Sequence, residues 1–154
     1  MPRAWPHLAS IGYSLIDELT KQLKLDEGLR LKPYRDSVGK LTIGVGRNLD
    51  DVGISEGEAE TLLWNDINIA QRTLQVNLPW VAQLSEARRG VLINMTFNMG
   101  VGALMAFPKM LACLQAGDYE GTAKEMESSK WAKQVGPRAQ RLIQQMRKDT
   151  WVYG

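Results

Sequence analysis

Ile11, Leu15, Ile16, Leu19 and Leu23 recur at close to helical spacing, which predicts an amphipathic helix that Gly28 stops just after Glu27. The pattern then changes. "YRD" and "KLTIGVG" flank "SVG", where Gly39 can take a positive φ, so an antiparallel β-hairpin is expected, followed by a short strand or turn over "RNLDDVG". Ser55 and Glu58 form an S-x-x-E capping box, and Ala59, Leu62, Leu63, Ile67, Ala70 and Leu74 make one stripe of a long helix closed by Pro79. Further helices are expected from Ser85 to about Met99, Pro108 to Ala116, Asp118 to about Ser128 and Arg138 to about Lys148, punctuated by Gly100, Gly102 and Gly117. The expected class is therefore α+β: a small antiparallel β-hairpin lobe joined by one long helix to an all-helical lobe. The boundaries are an N-terminal helical extension at 1–22, a lobe at 23–54, a connecting helix at 55–76 and a helical lobe at 77–154.

Composition narrows the chemistry more than the fold. With 154 residues, 44% hydrophobic and 23% charged, the chain can bury a core and is not of disordered type. No apolar run approaches the ~18 residues of a membrane span. The N-terminus lacks the sustained apolar core of a signal peptide, so folding in a cytoplasm is expected. Cys113, the only cysteine, lies in the apolar stretch "KMLACLQAG" and reads as a buried core thiol. His7 is the only histidine, which excludes histidine triads and His-rich zinc sites. No metal-ligand spacing occurs, and neither metal nor cofactor is expected.

Charge is unevenly spread. From Ser128 to Gly154 six basic residues face Asp149 alone, a local +5 that leaves −3 for the rest of a chain of net charge +2. A basic end suits a polyanion, whether nucleic acid, membrane surface or cell-wall polymer, although charge alone favours a solvated helix face. Asp66 lies between Leu63 and Ile67 on the apolar side of the long helix, where a carboxylate needs a cation. Arg47 is the expected partner, in an ion pair that would tie the hairpin to the helix.

Glu27 and Asp36, with Thr42 just past the turn, are the candidate reactive groups. Glycosidic cleavage needs one carboxylic acid to protonate the leaving oxygen and one carboxylate to direct water or stabilise the oxocarbenium-like centre. By spacing alone, Asp36 reads first as a turn former and Glu27 as an ordinary surface acid. Ser37 to Lys40 formally fits S-x-x-K, but the partner motifs of a serine acyl-enzyme are missing. Gly44-Val45-Gly46 starts like a dinucleotide loop without its third glycine or following helix.

The stretch "DEGLRLKPYRDSVGKLTIGVG" resembles the active-site segment of phage-type lysozymes, the muramidase endolysins of T-even-like phages. The matching positions are Glu27-Gly28, Tyr34-Arg35-Asp36, Gly39 and Thr42-Ile43-Gly44-Val45-Gly46. The resemblance continues through "ISEGEAETLL", "RRGVLINMTFNMG" and "SSKWAKQVGPRAQRL" to "DTW", from roughly Leu23 to Trp151. It implies a two-lobed lysozyme-like fold with the sugar chain between the lobes. Glu27 would be the general acid, while Asp36 and Thr42 would position water. It also implies that Arg138 contacts the catalytic Glu, and that Phe97, Asn98 and Gln134 lie on the cleft side. Three features depart from the pattern: Arg47 stands where a histidine is common, "RNLDDVG" is a short loop, and the N-terminal extension at 1–22 falls outside the match.

The function implied is a muramidase endolysin cutting the β-1,4 bond from N-acetylmuramic acid to N-acetylglucosamine in bacterial peptidoglycan, for host cell lysis. A monomer is expected, with no nucleic-acid partner, reaching the wall from the host cytoplasm through a separately encoded membrane pore. The alternatives are a lytic transglycosylase on the same fold and a non-catalytic cell-wall or nucleic-acid binding module using the basic end. Disruption of an outer membrane by Arg138 to Lys148 would be compatible with hydrolysis.

Overall fold

The computed structural model describes residues 13–154. His7, Ile11 and the first part of the 1–22 extension lie outside the described residues. The chain separates into two compact units that meet in sequence between Ala59 and Glu60. Each is described by itself, and the class is α+β, as the polar and apolar pattern predicts.

In the first unit, helix α1 spans Tyr13–Glu27. It stops because Gly28, at φ 76°, turns its N–H back to the Lys24 carbonyl at 3.0 Å. Strand β1 (Arg30–Arg35), β2 (Leu41–Gly44) and β3 (Arg47–Asn48) form an antiparallel sheet in that order. Tyr34 faces Thr42 across β1 and β2, and Thr42 faces Asn48 across β2 and β3. A register shift lies between Arg30 and Tyr34. The predicted hairpin is present, its turn closed by the Asp36 N–H on the Lys40 carbonyl at 2.9 Å and the Gly39 N–H on the Asp36 carbonyl at 3.0 Å.

"RNLDDVG" resolves into β3 and a turn wound on the Asn48 carbonyl, which accepts from the N–H groups of Val52 and Gly53. Asp50 and Asp51 brace it against β2, through the Leu41 N–H on Asp50 Oδ2 at 2.8 Å and Lys40 Nζ on Asp51 at 2.9 Å. This pairing raises the Lys40 pKa and lowers that of Asp51.

Helix α2 (Glu56–Asn77) begins at the boundary of the two units. Its capping box forms as predicted: the Ser55 N–H donates to Glu58 Oε2 at 2.7 Å and the Glu58 N–H to Ser55 Oγ at 3.2 Å. Of the apolar stripe, Ala70 and Leu74 join the buried set.

The second unit continues through a 3-10 turn at Pro79–Gln83 and helices α3 (Glu86–Met99), α4 (Val101–Met105), α5 (Pro108–Gln115), α6 (Tyr119–Glu127), α7 (Lys130–Val135) and α8 (Pro137–Lys148). Val91, Leu92 and Met95 of α3 pack with Leu104, Met110, Leu114, Met126 and Met146 in one core. Side-chain caps start three of these helices, from Ser85, Asp118 and Ser129. Two short helices, α4 and α7, exceed the expectation. Gly102, read as a breaker, lies inside α4, where full burial of Leu104 holds the turn. In α7 the Ser129 cap and buried Trp131 do the same. Cys113 is half-buried and not a core thiol, because it flanks the buried stripe of Met110, Leu111 and Leu114 on α5.

Long-range polar contacts dock the C-terminal segment. Arg88 of α3 donates to the Met146 carbonyl at 2.8 Å and the Arg147 carbonyl at 3.3 Å, meeting orphan acceptors at the end of α8. Its guanidinium lies 3.4 Å from the Tyr119 ring centroid. Buried Gln145 donates to the Ala87 carbonyl at 2.7 Å and accepts from the Val152 N–H at 3.3 Å. Trp151 fills the notch left by Gly90, where an added Cβ would overlap its ring.

Candidate functional site

The candidate groups of the first unit sit on three consecutive elements. Glu27 is the last residue of α1, Asp36 opens the hairpin turn after β1, and Thr42 is central in β2. The Asp36 carboxylate is part of the turn itself: Oδ1 accepts from the Val38 N–H at 3.0 Å and the Lys40 N–H at 2.8 Å. Both bonds fall on one oxygen, and Oδ2 is left for other partners. The turn is held from outside by Arg35, which donates to the Gly39 carbonyl at 3.0 Å.

Thr42 is buried by its cross-strand neighbours, with 3% of its surface exposed. Its Oγ donates to the Lys40 carbonyl at 3.0 Å. A hydroxyl has one proton, so with that proton committed Oγ can only accept from a further partner.

Glu27 is exposed at the helix end. Its side chain lies against the turn from β2 to β3: a Cβ added to Gly46 would stand 3.0 Å from Oε2, 3.2 Å from Cδ and 3.3 Å from Cγ. Helix end and sheet thus meet through the carboxyl of Glu27 and a glycine.

Arg47, next to that glycine, does not take the expected partner. Nη1 and Nη2 donate to Glu58 Oε2 and Oε1, each at 2.8 Å, and Nη1 also donates to the Gly53 carbonyl at 3.2 Å. Asp66 is exposed on α2, which removes the buried-charge argument for pairing it with Arg47. Glu58 both closes the capping box and pairs with Arg47. Its two oxygens serve both functions, because Oε2 accepts from Ser55 as well as from Arg47. A concave patch of about 350 Å³ beside this pair is lined by Arg47, Val52, Gly53, Ile54, Ser55 and Glu58, and includes none of Glu27, Asp36 and Thr42.

The Arg47 contact holds the Glu58 carboxyl at about 2, down from its ordinary 4.5, with the Ser55 N–H adding to the effect. The same contact raises the Arg47 pKa. A carboxyl whose pKa is lower folded than unfolded stabilises fully above its ordinary value, and that stabilisation is lost as pH falls. Melting temperature is therefore expected to drop between pH 4.5 and about 2 more steeply in the wild type than in Glu58→Gln. Thermal melts of both proteins across that window check it; parallel curves would exclude the pair as an acid-sensitive contact.

The remaining candidates belong to the second unit. Arg138 is oriented by Asn94, a residue the sequence reading missed, through Nε and Nη2 on Asn94 Oδ1 at 2.9 and 2.7 Å. These residues are 44 apart in the chain, and no local pattern links them. Asn98 accepts from Trp131 Nε1 at 3.3 Å. Phe97 is 45% exposed at the end of α3, an unusual place for an aromatic that packing alone would bury. Gln134 is exposed on α7.

The basic C-terminal segment is partly neutralised by the fold. Arg147 pairs with Glu120 at 3.0 Å and Glu127 at 2.6 Å, which raises its own pKa and lowers both of theirs. Among the described residues no helix is long and apolar enough to cross a membrane.

Comparison with known proteins gives a family match over most of the chain. The family described as phage lysozyme matches residues 24–149. The chain is 28% identical over 159 aligned positions to the probable T4-type lysozyme 1 of Dictyostelium discoideum, covering 84% of this chain and 93% of that protein. It is 35% identical over 131 positions to the endolysin of Acyrthosiphon pisum secondary endosymbiont phage 1, covering 82% and 81%. It is 33% identical over 153 positions to the pre-baseplate central spike protein Gp5 of Enterobacteria phage T4, covering 80% of this chain and 26% of that longer protein.

Proposed function

This chain belongs to the phage lysozyme family of glycoside hydrolases, and on that premise we propose that it is a muramidase endolysin. Its substrate is bacterial peptidoglycan, and the bond cut is the β-1,4 link from N-acetylmuramic acid to N-acetylglucosamine. Glu27 acts as general acid on the glycosidic oxygen. Asp36 and Thr42 hold the attacking water.

The hydrogen-bond inventory around Thr42 carries this reading. Because Oγ already donates to the Lys40 carbonyl, it presents an acceptor to a water. Asp36 Oδ2 is a second acceptor, since the turn uses only Oδ1. A water giving one proton to each turns a lone pair toward the anomeric carbon, and Asp36 receives the proton released on attack. A lytic transglycosylase would use the sugar's own hydroxyl and would leave this acceptor pair without a task.

In the same proposal, Phe97, Asn98, Gln134 and Arg138 contact the glycan, and exposed Lys130, Lys133 and Lys148 favour an anionic wall. The enzyme acts as a monomer in host cell lysis, reaching the wall through a separate membrane pore.

Digestion of purified peptidoglycan, with soluble fragments weighed by mass spectrometry, tests the reaction class. Reducing muramic acid ends are expected. Anhydro ends, lighter by one water, would establish transglycosylation and remove the role given to Asp36 and Thr42. A folded protein that releases no fragments would point to a binding module.

A further inference from the structure

We propose that Gly46 is a positioning residue for Glu27, its bare Cα forming the seat on which the acid's carboxyl rests; the proposal builds on the reading of Glu27 as general acid. Gly44, which ends β2, and Gly46, in the turn that follows, share a φ angle and differ in their surroundings. Gly44 and Gly46 both have φ 70°. An added Cβ at Gly44 would meet nothing within 4 Å, whereas at Gly46 it would meet Oε2, Cδ and Cγ of Glu27 at 3.0–3.3 Å. Backbone conformation alone accounts for glycine at position 44. At position 46 a second requirement is added, because even a residue that tolerates positive φ would put a carbon against the acid.

Which partner yields on such a contact follows from what anchors each side. Gly46 is followed by Arg47, which pairs with Ile43 across the sheet and is fastened by Glu58 and the Gly53 carbonyl. Glu27 is the last residue of α1, and the atoms that the added Cβ would meet are at the far end of its side chain. The carboxyl therefore moves, by a few tenths of an ångström. Such a shift is small for folding and large for proton transfer, which depends on the donor standing within hydrogen-bond reach of the leaving oxygen.

The test compares Gly46→Ala with Gly44→Ala on a soluble peptidoglycan glycan oligomer, measuring kcat and KM below the melting temperature of each. Both variants place a Cβ on a residue at φ 70° and are expected to lose melting temperature for that reason. Only Gly46→Ala is expected to lose kcat, by roughly tenfold, with KM within about twofold of wild type. Equal kcat in the two variants overturns the positioning role. Should an alanine variant fail to fold, Gly46→Asn and Gly44→Asn repeat the comparison, because asparagine tolerates positive φ better. Glu27→Gln, assayed alongside, separates the two readings. Full kcat in Glu27→Gln overturns both; an inactive Glu27→Gln with indistinguishable glycine variants overturns only the role of Gly46.

Discussion

Glu27→Gln is expected to lower kcat on peptidoglycan by about a thousandfold and to leave the melting temperature within a degree or so of wild type. The amide matches the carboxyl in shape, so it fits the same seat against Gly46. Glu27 takes part in none of the ion pairs found among the described residues, so no stabilising charge is lost. What disappears is the dissociable proton, and an amide cannot protonate a leaving sugar oxygen. Rates from reducing-end release, set beside thermal melts, check both halves of the expectation. Retained activity in a folded variant would end the case for Glu27 as general acid.

Asp36→Asn is expected to cost about a hundredfold in kcat, and the geometry makes it the cleaner of the possible changes at that position. The amide oxygen of asparagine can keep both turn bonds, from the N–H groups of Val38 and Lys40, so the hairpin should close as before. The second atom becomes an NH₂ donor in place of an acceptor, and the negative charge is gone. A water that must donate to this position then has no acceptor there. Asp36→Ala should differ, losing about 1 kcal/mol or more of stability from the unmet turn N–H groups in addition to the rate. If Asp36→Asn kept wild-type activity and stability while Asp36→Ala lost stability alone, Asp36 would be a turn former and nothing more.

The two substitutions and the glycine comparison address different parts of one apparatus. Glu27→Gln removes the proton, Asp36→Asn removes the acceptor for water, and Gly46→Ala leaves every reactive atom present but displaces one. The kcat losses are expected to rank in that order, and a different ranking would reassign the roles.

Signals confined to a few neighbouring residues were enough for most of the architecture. The Gly28 stop, the "SVG" turn and the Ser55–Glu58 capping box each act within five consecutive residues, and each forms as the pattern predicts. The amphipathic helices followed from periodicity for the same reason. The short helices α4 and α7 did not, since their stability comes from burying Leu104 and Trp131 in a core assembled from distant segments. The apolar stretch around Cys113 points to the core, but helical phase puts it beside the buried stripe.

For the site, the order of Glu27, Asp36 and Thr42 along the chain was legible because helix end, turn and strand follow one another directly. Partner choice was not. The sequence pairs Arg47 with Asp66 on the premise of a buried face; within the first unit the turn through Gly53 brings Arg47 onto Glu58. Asn94 and Arg138 meet only because α3 and α8 pack together. The glycine pattern alone could not tell Gly44 from Gly46, which share one backbone angle. Chain order sets which groups are available and which local bonds they make, because those depend on covalent neighbours. The pairings of Arg47 with Glu58, Arg138 with Asn94 and Glu27 with Gly46 depend on distances through space, and only the folded chain decides those.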